Sequence, residues 1–235
     1  MPGYLTRQHR VAVAGVADLL ICSLLDRQQY DDPLGEAARL GISSAEWPLF
    51  GMLWPSGAQL AAHLALRPVQ SGERILEIGC GLALASLVGH RRGADMTASD
   101  CHPLASVFLA ENLRLNGLRP LRYRHGQWGA APGPWTPRGS AGATATTALH
   151  GEYDLIVGSD LLYAPDARAT LPSFIDRHAA PGAEVWVLDP QRGNRPAFTR
   201  HMAALGFGMT QCDLGRKSLG SDAAYRGRLL QYSKS

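Results

Sequence analysis

No stretch of this chain stays apolar for the roughly twenty residues that a bilayer-spanning helix needs, so a helical membrane protein is not expected. Cys22, Cys80, Cys101 and Cys212 include no C-x-x-C pair, and no two histidines stand at metal-ligand spacing. Neither a disulfide framework nor a zinc site is therefore indicated, no metal is expected, and the scattered thiols suit a reducing cytoplasm. A charge excess of one sign is missing as well. With a net charge of +3, Arg91-Arg92 and Arg122/Arg124 read as short solvated clusters and not as the footprint of a nucleic acid. Arg7 and Arg10 precede the apolar run Val-Ala-Val-Ala-Gly-Val, but Asp18 interrupts it and no small-x-small cleavage site follows, which argues against export.

What is present is an ordinary globular composition, 46% hydrophobic and 18% charged, in 235 residues. That length suits one α/β domain with a full core. Val11, Val13 and Val16 before Leu19, Ile21 and Leu24 predict a small β-hairpin turning near Gly15, outside the main sheet. The boundary predicted from this places an N-terminal extension at 1–46 and the domain proper at 47–235. In the latter, Ser56 is the expected N-cap of a helix reaching about Leu66, before Pro68.

From Glu73 onward strands and helices alternate. Strands are predicted near 74–78, 95–99, 121–125, 153–158 and 184–188, the last after a Pro-Gly turn, with a final pair at 208–213 and 227–232. Helices are expected at about 82–91, 103–115, 167–180 and 196–205, with Gly117 in the place of a C-cap. The fold class is thus α/β: a Rossmann-like seven-stranded sheet with helices on both faces, the last strand antiparallel. The Gly-, Ala-, Pro- and Thr-rich segment 129–151 reads as a long loop, either a lid or plain disorder.

The segment Arg74-Ile-Leu-Glu-Ile-Gly-Cys-Gly-Leu-Ala is a strand running into a glycine turn, and Thr97-Ala-Ser-Asp100 is a second strand ending in a carboxylate. Gly79 and Gly81 let the backbone turn tightly beside a ligand, and Asp100 stands where ribose hydroxyls are accepted in nucleoside sites. A dinucleotide fingerprint would need a third glycine at position 84, which is Leu84. Glu77 beside the turn would repel a pyrophosphate and attract a cation. S-adenosylmethionine carries an ammonium and no phosphate, and is the cofactor expected. In open α/β sheets ligands bind beyond the strands' carboxyl ends, which brings Gln127, Trp128, Ser159, Asp160 and Tyr163 into the candidate site. The loop Asp189-Pro-Gln-Arg-Gly-Asn-Arg195, which follows the fifth strand, reads either as facing the acceptor as well or, in preference, as a polar loop.

The pattern resembles class I methyltransferases and, more narrowly, the seven-β-strand protein-lysine methyltransferases of methyltransferase family 16. The likeness runs over about 47–163 and rests on Phe50-Gly-Met-Leu-Trp54-Pro-Ser-Gly57, Glu77-Ile-Gly-Cys-Gly81 and Asp160-Leu-Leu-Tyr163, the last similar to the family's D-x-x-Y motif. The first segment looks most like that of the methyltransferases acting on the electron-transfer flavoprotein β subunit. The resemblance implies cofactor binding by Trp54, Glu77, Gly79, Gly81, Asp100, Trp128 and Ser159, with Asp160 and Tyr163 at the acceptor end and catalytic. It implies a protein lysine as acceptor, no membrane partner, and leaves the oligomeric state open. One departure is Ala83, which stands at the third small position of E-x-G-x-G-x-G.

Two other readings stay open at this level. One is methylation of a small molecule or a nucleic-acid base, although Ser159-Asp-Leu-Leu-Tyr163 stands where a base methyltransferase carries Asn/Asp-Pro-Pro-aromatic. The other is a non-catalytic binding protein with this fold.

Overall fold

The computed structural model describes residues 4–129, 148–216 and 224–234. The hairpin forms as expected: β1 (Thr6–Val11) pairs antiparallel with β2 (Leu19–Leu24) in a two-stranded sheet of its own. A short helix α1 (Glu36–Arg39) and a 3-10 turn at Trp47–Gly51 lead to α2 (Pro55–Leu66). Next come β3 (Arg74–Ile78), α3 (Leu84–Arg91), β4 (Asp95–Asp100), α4 (Ala105–Leu115) and β5 (Arg122–His125). The chain finishes with β6 (Tyr153–Ser159), α5 (Thr170–His178), β7 (Ala179–Asp189), α6 (Arg195–Ala204), β8 (Phe207–Arg216) and β9 (Tyr225–Lys234).

The seven strands of the main sheet lie in the order β5-β4-β3-β6-β7-β9-β8. All neighbours from β5 to β7 are parallel, and β9 runs antiparallel between β7 and β8. The order reverses between β3 and β6, which opens a crevice at their carboxyl ends.

Alternation along the strands sends side chains to two cores. Ile75, Leu155 and Val157 face one cluster with α2, α3, α4 and the hairpin. Leu76, Ile78 and Ile156 face the other, with α5 and α6. Glu77 lies on the α3 side by the same alternation, and this decides its partner below. The hairpin is held by α4, where Asn112 Oδ1 accepts the Cys22 N–H at 2.7 Å and Asn116 Oδ1 accepts that of Leu20 at 2.9 Å. Amide side chains thus cover an edge that would otherwise offer unpaired backbone groups.

Three local expectations are corrected. Ser56 does not cap α2: Pro55 is its first residue and Trp54 its N-cap, because proline is pre-set for that position. The Ser56 hydroxyl instead accepts a hydrogen bond from Tyr225 at 3.1 Å. Helix α3 starts at Leu84, two residues late, since Ala83 adopts a left-handed conformation with φ 59°. Finally, Pro181-Gly182 does not separate α5 from a later strand. β7 runs through it as a bulge, with Ala179 opposite Tyr153 and Glu184 opposite Leu155. Of the 129–151 loop, 130–147 lie outside the described residues, and Leu149 beyond them is buried in the second core.

Candidate functional site

A cavity of about 360 Å³ occupies the crevice at the β3/β6 switch point. Of the residues singled out from sequence, Trp54, Glu77, Gly79, Gly81, Asp100, Trp128, Ser159, Asp160 and Tyr163 line it, whereas Gln127 does not, its side-chain amide donating instead to the Leu40 carbonyl at 2.9 Å. They arrive from the ends of β3, β4, β5 and β6 and from the turn before α2, as the topology requires.

The glycine turn needs its glycines. Gly79 and Gly81 have φ 55° and 51°, a region that side chains rarely adopt. A Cβ on Gly79 would come 2.6 Å from Leu161 Cδ2, and one on Gly81 2.8 Å from the Phe50 carbonyl oxygen. The turn is therefore squeezed between the 3-10 segment and the chain that follows β6. Ala83 shares the left-handed conformation, a cost of about 1–2 kcal/mol for a residue with a Cβ. Its methyl is fully buried in the α3-side core and does not line the cavity.

Asp100 is more than a projecting carboxylate. It is 8% exposed, its Oδ2 accepts the Gly81 N–H at 2.8 Å, and its Oδ1 accepts the His102 N–H at the same distance. Burial raises its pKa, and these backbone donors pull it back. Each carboxylate oxygen has a second lone pair, so capacity for a ligand hydroxyl remains.

Glu77 is also engaged. Its Oε2 accepts the Ser86 N–H at 2.6 Å, satisfying an orphan donor in the first turn of α3. Burial pushes its carboxyl up to about 7 against those hydrogen bonds, with Asp100 adding to the rise. A sequence pattern shows the acid; only the strand's alternation toward α3 reveals what it bonds.

Sequence reasoning missed His102 and favoured the wrong one of its two readings for the loop that holds Arg192. His102, two positions past Asp100, lines the cavity with its ring stacked on Phe50 at a centroid distance of 3.7 Å. Burial lowers its pKa to about 3, so the imidazole is neutral, and Nδ1 accepts the Leu104 N–H at 3.2 Å. Arg192, in the loop whose sequence favours a polar reading over one facing the acceptor, lines the cavity too and donates to Asp160 Oδ1 at 2.8 Å. No local signal marks this pair, because the partners are 32 residues apart and meet only when β6 and β7 align.

Asp160 itself has φ 58°, a conformation aspartate tolerates better than most residues. Burial raises its pKa, while the Ser56 hydroxyl and the Arg192 guanidinium lower it. Tyr163 stands at the rim, 47% exposed. Among the described residues no group of histidine, cysteine and acidic side chains could hold a metal ion, and no helix is long and apolar enough to cross a membrane.

Comparison with known proteins agrees with the resemblance read from the motifs. The chain is 28% identical over 157 residues to the electron transfer flavoprotein beta subunit lysine methyltransferase of Rattus norvegicus, covering 66% of this chain and 54% of that one. It is 26% identical over 161 residues to the protein N-lysine methyltransferase METTL21A of Danio rerio, covering 62% and 63%. The chain thus spans about half the length of the flavoprotein-directed relatives it matches, 54% in the rat protein. No family model matches the chain. Among solved structures, the magnesium protoporphyrin IX methyltransferase of Synechocystis PCC 6803, determined with bound S-adenosylmethionine, superposes with a TM-score of 0.54 at 15% identity, over 77% of this chain and 78% of that one. The fold is that of the class I methyltransferases, as expected.

Proposed function

We propose that this chain is an S-adenosylmethionine-dependent N-methyltransferase whose acceptor is a protein lysine. The observation that carries the reading is the meeting, in one cavity, of a left-handed glycine turn, an acid at the end of the neighbouring strand, and the Asp160/Tyr163 pair at the end of the strand on the other side. The lysine methyltransferases to which the chain is similar support the acceptor class. In the same reading 47–235 is the methyltransferase domain and 1–46 its extension, and the four free cysteines suit a cytoplasmic protein.

The residues present fit the cofactor. The cavity is in the size range of small-molecule sites, and side chains at Gly79 or Gly81 would close the space that the turn leaves. Asp100 would accept the ribose hydroxyls, Trp128 cover the adenine, Glu77 face the amino-acid ammonium, and Trp54 and Ser159 complete the walls. When bound, the group supplies an electrophilic methyl on a cationic sulfur. The protein's part is to hold the acceptor nitrogen in line with it and exclude water. Asp160 would orient the amine and favour positive charge as it develops. No strong base is required, because a lysine desolvated between Trp54 and Tyr163 has a lowered pKa and loses its proton to water.

Purified protein should therefore show a thermal midpoint that rises with S-adenosylmethionine concentration and not with NAD, since only a ligand of the folded state stabilises it. A response to NAD alone would overturn the assignment.

Glu77 adds a pH dependence. Its carboxyl is raised from 4.5 to about 7 in the folded chain, so on its account the ligand-free fold is most stable below about pH 4.5 and loses that contribution as pH rises through 7. A bound cation favours the ionised form. Binding below pH 7 must then release a proton, and affinity should climb by up to about tenfold per pH unit from pH 5 and level off above 7. Calorimetry in buffers of different ionisation enthalpy reads the released proton, and Glu77→Gln should abolish it. Affinity independent of pH across this window would show that no cation contacts Glu77.

A further inference from the structure

The acceptor end of the cavity is closed by the protein's own cation. Asp160 offers two oxygens: Oδ1 accepts from Arg192 Nη2 at 2.8 Å, and Oδ2 is sealed from solvent, with the Ser56 hydroxyl the other group that steadies the carboxylate. An incoming amine therefore meets this carboxylate with the arginine already on its one oxygen that is not sealed, and must compete with it. Arg192 stands on the loop after β7, where Asp189 Oδ2 accepts its backbone N–H at 2.8 Å and Gln191 is left-handed at φ 63°. The side chain of Arg192 is 28% exposed against 12% for Asp160, so the arginine is the partner with room to leave.

Resting on the methyltransferase reading above, we propose that Arg192 determines acceptor specificity: its guanidinium holds the acceptor ammonium's place on Asp160, and a lysine must take that carboxylate over from it. The choice of arginine follows from chemistry. A guanidinium keeps its proton at all ordinary pH values, so it offers no lone pair to an electrophilic methyl, whereas a lysine in the same place would be consumed. Only a side chain that can shed a proton in the cavity and compete for Asp160 would be methylated, which selects primary amines over arginine.

The test uses the full-length protein and no natural acceptor. In Arg192→Lys the amine nitrogen at position 192 would lose its proton to water and form a bond to the methyl carbon as the sulfur–carbon bond breaks, the sulfur keeping the electron pair. Incubation with S-adenosylmethionine should therefore add one or more methyl groups at position 192, read by intact mass and peptide mapping. The natural lysines are only Lys217 and Lys234, so assignment is direct. Arg192→Ala should expose Asp160 and methylate n-butylamine about tenfold faster than wild type or more, the scale of one hydrogen bond between charged groups. Modification at position 192, or faster butylamine turnover, supports the inference. If both variants match the wild-type thermal response to S-adenosylmethionine, yet position 192 stays unmodified and butylamine turnover is unchanged, Arg192 does not hold the acceptor's place. A wild-type protein with no such response would instead overturn the methyltransferase reading, and this inference with it.

Discussion

Asp100→Ala is expected to weaken S-adenosylmethionine binding by about ten- to a hundredfold, the effect of losing about 1.5–3 kcal/mol of hydrogen bonding to a charged acceptor. It should also lower the unfolding midpoint, because Asp100 has a structural task beside the cofactor's. Its two oxygens take the Gly81 and His102 N–H groups, and the residue is buried. Alanine leaves both donors without a partner, and each such loss costs about 1–3 kcal/mol. The two effects separate by substitution. Asp100→Asn keeps an accepting oxygen for one donor but turns an N–H toward the other, so it should recover part of the stability and little of the affinity. Titration calorimetry and thermal unfolding on the three proteins decide the matter, and a folded alanine variant with wild-type affinity would remove Asp100 from the ribose site.

The parts of this molecule legible in sequence are those set by local rules. The apolar run Ile75-Leu76 ahead of two glycines marked a buried strand and its turn. Gly117, left-handed at φ 62° just past α4, did mark the end of that helix. The carboxyl ends of β3, β4, β5 and β6 follow from the topology, and so nine candidate residues came to one cavity, while Gln127, at the end of β5 beside Trp128, turned to the Leu40 carbonyl instead.

What sequence left hidden depends on partners far along the chain. Ser56 has the chemistry of a cap, but Pro55 takes the helix start and Tyr225, 169 residues away, takes the hydroxyl. Glu77 was read for its cation alone, and the bond that the alternation of β3 also gives it, to Ser86 in α3, was not foreseen. Arg192 sits in a loop for which sequence favours a polar reading over one facing the acceptor. Its meeting with Asp160 is fixed by the pairing of Ser159 with Leu188 across β6 and β7, which brings the two following loops together. No spacing rule within either loop encodes that register.

Asp160→Asn and Tyr163→Phe are expected to separate binding from turnover. Both residues line the cavity, and in the proposed function neither carries the cofactor's main hydrogen bonds, so cofactor affinity should stay within about tenfold. Methyl transfer should fall further, by about a hundredfold for Asp160→Asn, on the scale seen when a group stabilising transition-state charge is removed. Interactions realised only in the transition state appear in the rate and not in ground-state binding. Asparagine is the better probe than alanine because position 160 is left-handed, a conformation asparagine accepts with little strain. The acceptor for this assay comes from tritiated methyl transfer into a proteome, in which label in protein, in nucleic acid or nowhere separates the three readings the sequence left open. If both variants then transfer methyl groups to the identified acceptor at the wild-type rate, the D-x-x-Y assignment is wrong, and the groups that orient the amine lie around Trp54 and Arg192.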